Sequence, residues 1–380
     1  MASRPSTGLP PARWRMFFLL PAGLAMLAAL NGGLLLLNLP APVVAWADLH
    51  GILMVVGFLG TLIAMERAVA LRHPLGYVAP ALLGAGALVL LTPLPTRLGQ
   101  LLCIEGALAL CIVYLVLWHR SRDVLVLVHL LGGLHLLIAT LTWLVAPVWV
   151  LVPWFIGFLV LTISAERVEL ARFQMPPHGT LVLVAATTAL TVTLTAGFFW
   201  PDLAVRLTGT LLAVLVLWLV QHDVARAGIH GSGLRRYSSV ALLAGYGWLL
   251  VAAVCWLIYG HQTSGFAYDA IVHAVMLGFA LSMVMAHAPI ILPAVLRRPL
   301  PYRPILWIPL GLLHIGLMLR VLTGDLLQLT VLWQIGGVIT VAALLVFVAT
   351  AATSALLGEP ATTATQTSLT HTPDPAERTL

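Results

Sequence analysis

The 380-residue chain has little charge, and it contains no lysine. Only 8% of its residues are charged and 61% are hydrophobic, a composition that excludes a soluble globular protein. Apolar runs of about 20 residues, the length that crosses the hydrocarbon core of a bilayer, recur from end to end. The sequence therefore predicts an all-α integral membrane protein whose main partner is the lipid bilayer.

Cysteine is scarce as well. Cys103, Cys111 and Cys255 lie inside apolar runs without the spacing of metal ligands, which excludes a disulfide framework and predicts small buried side chains. The formal net charge of +6 comes entirely from arginine. Membrane topology accounts for this excess, so it calls for no nucleic-acid partner.

Hydropathy predicts twelve transmembrane helices. Their approximate bounds are 16–38, 47–71, 75–94, 98–118, 123–145, 148–170, 180–199, 203–221, 238–259, 267–292, 305–323 and 329–351. With the N-terminus in the cytoplasm, 16 of the 19 arginines fall on the inner side, and only Arg97, Arg206 and Arg320 fall outside. Because cytoplasmic loops are normally enriched in basic residues, this count predicts that both termini are cytoplasmic.

The ends of the chain differ from its middle. Residues 1–15 are basic and carry no small-residue cleavage site, so they are predicted to be a retained cytoplasmic tail rather than a signal peptide. Residues 16–351 form the predicted membrane domain. Residues 352–380 are rich in Thr and Pro and poor in apolar side chains, which predicts a disordered cytoplasmic tail. The predicted location is a bacterial cytoplasmic membrane.

A partial repeat relates three of the predicted helices. Gly57-Phe58-Leu59 in helix 2 matches Gly157-Phe158-Leu159 in helix 6, and Glu66-Arg67 matches Glu166-Arg167. A fainter third copy contains Gly278-Phe279 in helix 10, with His287 at the offset that the two glutamates occupy. Because the repeated residues occur in every fourth helix, the sequence predicts three blocks of four helices related by a pseudo-threefold axis.

Two histidines lie at similar predicted depth near the outer face. His50 begins helix 2 and His273 lies early in helix 10, so facing helices could present them to one b-type haem as axial ligands. Seven residues after each stands a small residue, Gly57 or Ala280, on the side where a porphyrin could approach the backbone. The alternative is that each histidine only hydrogen-bonds or packs within the bundle.

A second haem has less support. His287 lies 14 residues after His273, which is ~21 Å along a helix and nearly the same face. The matching position in helix 2 is Ala64 rather than a histidine. His287 could instead join Glu66 and Glu166 in a divalent-metal or proton-transfer site. The alternative is that both glutamates pair with nearby arginines at the headgroup boundary.

Other ionisable residues also fall within the predicted spans. His129 and His135 point in different directions on one helix, so they do not form a ligand pair. His135, His314 and Glu105 are each predicted to be hydrogen-bonded residues of the bundle, with a proton path through Glu105 as the alternative.

The chain resembles the NnrS family, membrane haem proteins linked to nitric oxide and nitrosative stress. The residues that carry the resemblance are Phe17-Phe18-Leu19-Leu20, the block from His50 to Gly60, and the block from His273 to Ala288. The helix layout also resembles the catalytic subunit of haem-copper oxidases, where helices 2 and 10 supply the ligands of the low-spin haem. That resemblance implies the same role for His50 and His273.

The chain departs from both families at specific places. NnrS proteins open helix 2 with His-Ala-His-Glu, where this chain has Asp48-Leu49-His50-Gly51, and this chain has Arg297-Arg298 where they have Leu-Gly-His-Thr-Gly. Helices 6 and 7 lack the histidines of an oxidase copper site. The protein is therefore not expected to be a proton-pumping oxygen reductase.

The sequence thus favours an NnrS-like haem protein for nitric oxide handling or electron transfer, with nitric oxide or a redox protein as partner. Whether it is an enzyme is left open. The first alternative is a haem-free, proton- or ion-coupled transporter or channel, with Glu66, Glu166 and His287 along its path. The second is an assembly protein whose partners determine its role.

Overall fold

The computed structural model describes residues 12–172, 174–296 and 300–358. Every regular element in these ranges is helical, which confirms the all-α prediction for the described chain. Most of the two predicted tails and the Arg297-Arg298 pair lie outside the described residues. The first helix already begins at Ala12 and the last ends at Leu357, so both extend beyond the predicted bounds.

Apart from a single turn at Ala225–Gly228, the described helices group into twelve consecutive segments. Eleven are long and apolar enough to cross a membrane, and the third is shorter. The bounds are α1 Ala12–Leu36, α2 Val44–Leu71, α3 Pro74–Leu90, α4 Thr96–Ser121, α5 Val124–Thr142, α6 Val148–Leu170, α7 Gly179–Ala196, α8 Pro201–His222, α9 Gly233–Tyr259, α10 Gly265–Pro293, α11 Pro304–Asp325 and α12 Thr330–Leu357.

Three helices contain a π-helical stretch, in which the backbone hydrogen bond spans five residues instead of four. These stretches are Leu53–Gly60 in α2, Ala274–Leu281 in α10 and Met318–Asp325 in α11. In α2 and α10 the stretch has the same length, and the Gly-Phe pair takes its fifth and sixth positions. The faint sequence match between these two helices therefore corresponds to a shared backbone feature.

Helices α2, α6 and α10 are the most enclosed of the bundle. In an 18-residue apolar stretch of each of these helices, 72%, 72% and 78% of the residues are buried. The corresponding share is 56% or less in the other long helices. Each pair is in contact. Gly51 of α2 packs beside Val148 of α6, and the side chains that join α10 to each of the other two are described below. Every fourth helix is thus central.

One end of the bundle is rich in arginine. Arg72 and Arg122 terminate α2 and α4 in the left-handed conformation, with φ of 55° and 56°. Arg120 donates hydrogen bonds to the carbonyls of Ala70 and Leu71, which satisfies acceptors that the end of a helix leaves unpaired. We call this the basic end. His50 and His273 lie towards the opposite end.

Candidate functional site

The structure brings His50 and His273 together across the contact between α2 and α10. The centroids of their rings are 6.4 Å apart, and the ring planes are inclined by 25°. His50 is the first residue of the α-helical part of α2, and His273 is the last residue before the π-helical stretch of α10. Both side chains are half-buried.

Backbone carbonyls determine how the two rings are held. Nδ1–H of His50 donates to the carbonyl of Ala29, 2.6 Å away, and Nδ1–H of His273 donates to the carbonyl of Asp269, 2.9 Å away. With Nδ1 as the donor in each neutral ring, Nε2 carries the lone pair. Histidines that bind a metal through one ring nitrogen typically donate a hydrogen bond from the other ring nitrogen.

The two imidazoles lie close enough to share one metal ion. Their ring centroids are 6.4 Å apart, and a metal–imidazole bond is about 2.0 Å long. Gly33 of α1 lies against the His50 ring, where an added Cβ would be 3.0 Å from Cε1. The ring separation and the Nε2 lone pairs therefore fit a metal ion that both histidines would hold.

A carboxylate network supports His273 from behind. Asp269 Oδ1 is 3.1 Å from Nδ1 of His273. The same carboxylate accepts two hydrogen bonds from Arg320 at 2.9 and 3.0 Å, and one from the Trp333 indole at 2.9 Å. The Arg320 guanidinium also lies 5.3 Å from the Trp333 ring centroid. Sequence analysis overlooked Asp269, although its position one helical turn before His273 was the available signal.

Gly57, which the sequence predicted to lie beside the porphyrin, packs against two neighbouring helices. An added Cβ on Gly57 would be 2.8 Å from Ala25 and 2.9 Å from Ala87, so the glycine packs α2 against α1 and α3. The prediction assumed 3.6 residues per turn, but the chain beyond Leu53 is π-helical, and the wider turn changes which face a residue seven positions later takes. Ala280 is buried in the apolar core.

Glu66, Glu166 and His287 do not form the metal site that their spacing suggested. Within the described ranges, no group of three or more His, Cys, Asp or Glu side chains could hold a metal ion. Glu66 instead pairs with Arg67, its neighbour in the chain. His287 donates from Nδ1–H to the carbonyl of Met283, 2.8 Å away. Its Nε2 is thereby left as an acceptor.

Arg167 joins α6 to α10 and to the segment after α8. Its NH1 lies 3.1 Å from Nε2 of His287 and donates to it, and its other nitrogens donate to both oxygens of Asp223 at 2.7 and 2.9 Å. Asp223 also accepts a hydrogen bond from the Tyr246 hydroxyl at 2.6 Å and one from the backbone N–H of Ala225 at 2.8 Å. Every polar atom of this buried carboxylate is satisfied.

The pKa of Asp223 reflects these contacts. Burial by itself raises the pKa of a carboxyl, but the hydrogen bonds and charge of Arg167 and the Tyr246 hydroxyl outweigh it, so the pKa of Asp223 is held below its usual value. Nothing in the sequence after His222 indicates that Asp223 folds back into the bundle.

His135 and His314, two further histidines within the helices, each have one hydrogen-bonded ring nitrogen. Nε2–H of His135 donates to Thr191 Oγ1 at 3.1 Å, and the Trp248 indole donates to Nδ1 of His314 at 3.0 Å. The prediction that both are hydrogen-bonded bundle residues is confirmed. Glu105 lies on the exposed surface of α4, not in the interior of the bundle as predicted.

His129 is different, because both of its ring nitrogens are buried without a hydrogen-bond partner among the described residues. Its ring lies parallel to that of Tyr114, with centroids 5.6 Å apart, and its Nε2 is 3.8 Å from a Glu169 carboxylate oxygen. These residues lie near the Glu66–Arg67 pair at the basic end.

Comparison with known proteins adds a family assignment. The chain matches the family described as "Domain of unknown function (DUF8744)" over residues 15–356. A search of curated proteins finds no match. The matched range covers all twelve helices except the first three residues of α1 and the last of α12, so the match extends over the whole helical bundle. The chain therefore belongs to the DUF8744 family.

Proposed function

We propose that this protein is a membrane haem protein that holds one b-type haem between α2 and α10, with His50 and His273 as the axial pair. The observation that carries the proposal is their 6.4 Å ring separation. Both rings also keep Nε2 free by committing Nδ1 to a backbone carbonyl. The resemblance of the two histidine blocks to NnrS proteins supports the same assignment.

A haem held by His50 and His273 would supply one-electron transfer. The chain's own residues orient the ligands. The carbonyl of Ala29 holds the His50 ring, and Asp269, itself held by Arg320 and Trp333, holds the His273 ring. The pair is half-buried, which leaves one end of the site within reach of a redox partner. Nitrosative stress is the setting that the family resemblance suggests.

The proposed architecture is twelve spans in three pseudo-threefold blocks, with both termini in the cytoplasm of a bacterium. Two observations support it. Helices α2, α6 and α10, one from each block, are the most buried, and the shared π-helical stretch relates α2 to α10. The basic end would then face the cytoplasm, where arginine is normally enriched.

The test is an absorption spectrum of the purified protein, oxidised and reduced, with a pyridine haemochromogen assay. We expect a b-type spectrum that is lost in His50→Ala and in His273→Ala. The matched control is His261→Ala, which removes a histidine near the same end whose ring contacts Trp149 instead. If His261→Ala also loses haem, the loss is not specific to His50 and His273, and the proposed site is contradicted.

Nitric oxide titration of the reduced protein separates the two roles within this proposal. A shift of the Soret band would show that nitric oxide displaces a histidine, which would support gas handling. An unchanged spectrum, with rapid reoxidation by an artificial electron acceptor, would support electron transfer alone.

A second candidate is a haem-free transporter coupled to protons or ions. The polar residues around Glu66 at the basic end favour it, because they are charged, partly unpaired and distant from the histidine pair. Protein that is produced with ample haem supply and still contains none would favour this candidate over the haem protein.

A further inference from the structure

A set of polar side chains lies at the basic end, between α2, α4, α5 and α6. Glu66 follows His50 by 16 residues in the same helix, which places it ~24 Å from the histidine pair along the axis. We call this set the basic-end cluster. It consists of Glu66, Arg67, Tyr114, His129, Glu166 and Glu169.

Several polar atoms of the basic-end cluster are buried without a hydrogen-bond partner among the described residues. They are both ring nitrogens of His129, the hydroxyl of Tyr114 and Nε of Arg67. His129 is 1% exposed and Tyr114 is fully buried. A buried polar group without a partner destabilises the folded protein. Ordered water is the usual partner for such groups in native proteins.

The contact between His129 and Glu169 is too long to be a direct hydrogen bond. Nε2 of His129 is 3.8 Å from the Glu169 carboxylate, so a water molecule beside the two groups would complete the hydrogen bonding of both. The Glu169 side chain is 48% exposed. The cluster is therefore continuous from an exposed carboxylate at the surface to a histidine in the interior.

The charges in the cluster do not balance. Glu66, Glu166 and Glu169 are three carboxylates, and Arg67 interacts electrostatically with both Glu66 and Glu166. The other nearby arginines are engaged elsewhere, because Arg167 forms a two-bond pair with Asp223 and Arg172 pairs with Asp123. Glu66 and Glu166, which are partly buried, therefore share the single charge of Arg67, and the excess of negative charge favours binding of a proton.

The site is surrounded by charged and titratable groups. The charged and titratable groups that face the site are Glu66 and Arg67 of α2, Tyr114 of α4, Asp123 and His129 at and near the start of α5, Glu166, Arg167 and Glu169 of α6, and Asp223 and His287 beyond them. Among the described residues, no group of three or more His, Cys, Asp or Glu side chains could hold a metal ion.

We propose that the basic-end cluster is a hydrated proton-access site, in which His129 passes protons between Glu169 at the surface and Glu66 or Glu166 in the interior. A proton from bulk water binds the Glu169 carboxylate and moves through water to one ring nitrogen of His129. The other ring nitrogen releases a proton to an interior carboxylate, which becomes a neutral acid. The ring is again neutral and nothing is oxidised or reduced, so the site does not depend on bound haem.

The first test measures water beside Tyr114 by radiolytic labelling, in which an X-ray pulse makes hydroxyl radicals from bound water. The full-length protein in lipid nanodiscs contains its own control. Tyr246 is as buried as Tyr114, but its hydroxyl donates to Asp223 and needs no water. We expect Tyr114 to be labelled several-fold faster than Tyr246. Equal protection of the two tyrosines would mean a dry cluster and would overturn the proposal.

The second test detects the bound proton with dicyclohexylcarbodiimide, an apolar reagent that modifies protonated carboxyls. At neutral pH we expect modification of Glu66 or Glu166, located by peptide mass spectrometry. Asp223 is the control, because Arg167 holds it ionised. Modification of neither glutamate above the level of Asp223 would show that the cluster holds water but no proton.

The third test asks whether protons pass through His129. The infrared C=O band of the protonated carboxyl shifts on transfer to D2O, and we expect this shift to be at least several-fold slower in His129→Leu. Glu169→Gln, an exposed change that spares the fold, should slow it as well. Exchange at the wild-type rate in both variants would exclude this route.

Discussion

Asp223 and Asp123 show how differently two acid–base pairs of one protein are situated. The Asp223–Arg167 pair is buried, with side chains 0% and 5% exposed, whereas the Asp123–Arg172 pair is 23% and 53% exposed. A buried charge that loses its partner remains desolvated, while an exposed charge regains water. The two pairs therefore allow a matched comparison at the scale of single residues.

We expect Asp223→Asn to destabilise the protein by about 3–5 kcal/mol, because Arg167 is left buried and unpaired. Arg172→Gln should cost less than about 1 kcal/mol. Thermal unfolding in detergent, followed by circular dichroism, measures both. Similar shifts of the melting temperature in the two variants would contradict this account.

The depressed pKa of Asp223 also predicts an acid dependence of stability. A carboxyl whose pKa is lower in the folded state contributes stability that is present above the unfolded value, about 3.9, and is lost as pH falls through the folded value. The contribution of this group to the melting temperature should be constant between pH 8 and 5 and should decline below about pH 4. In Asp223→Asn the melting temperature should decline less steeply at acid pH. An unchanged slope would show that other groups cause the decline.

Asp269 is expected to set the redox potential if haem binds as proposed. Its negative charge beside His273 stabilises the oxidised iron, so Asp269→Asn should raise the midpoint potential in a potentiometric titration. Asp202→Asn is the control, since Asp202 pairs with Arg206 near the same end and touches neither histidine. A potential that moves equally in both variants would indicate only a general effect of lost charge.

At the scale of elements, the π-helical stretch of α10 packs closely against α9. In α10 the stretch carries Gly278, and an added Cβ there would lie 2.4–2.5 Å from Trp248 atoms of α9. Such an approach is possible only without a side chain. The indole N–H of Trp248 donates a hydrogen bond to His314. The Trp248 ring is therefore held both by its contact with Gly278 and by this hydrogen bond.

We expect Gly278→Ala to lower stability by about 1–3 kcal/mol, because the methyl group overlaps the Trp248 ring and forces α9 and α10 apart. Gly311→Ala in α11 is the control. An added Cβ there meets nothing within 4 Å, and alanine is the better helix former. Thermal unfolding of both variants checks this, and a neutral Gly278→Ala would show that the two helices can adjust.

At the scale of the whole molecule, the number of membrane crossings depends on α3. Its 17 residues, Pro74–Leu90, extend about 25 Å, near the lower limit for a span. If α3 crosses the membrane, both termini lie on one side. If it does not, the described helices cross eleven times and the termini lie on opposite sides.

Cysteine labelling distinguishes the two topologies. We expect His73→Cys to react with a membrane-impermeant maleimide only from the cytoplasm and Leu94→Cys only from outside. Both positions are exposed, whereas the three native cysteines are buried and give little background. Labelling of both positions from the same side would mean that α3 does not span the membrane.

The helical membrane architecture was readable from the sequence alone. In a bilayer every backbone polar group must bond within the chain, so long apolar runs have to be helices, and all eleven long helices lie where hydropathy placed them. The sequence also identified His50 and His273 as partners, because their position at the start of two helices of the same direction puts them at the same depth.

Which side chains pair was decided only by the tertiary structure. Arg167 bonds Asp223 instead of its neighbour Glu166, and Arg320 bonds Asp269. The ring nitrogens of His129 have no hydrogen-bond partner in the described part of the chain. Helical periodicity gives the depth and face of a residue on its own helix. Contacts between helices depend on how each helix is rotated, and π-helical stretches change that rotation in ways that periodicity does not contain.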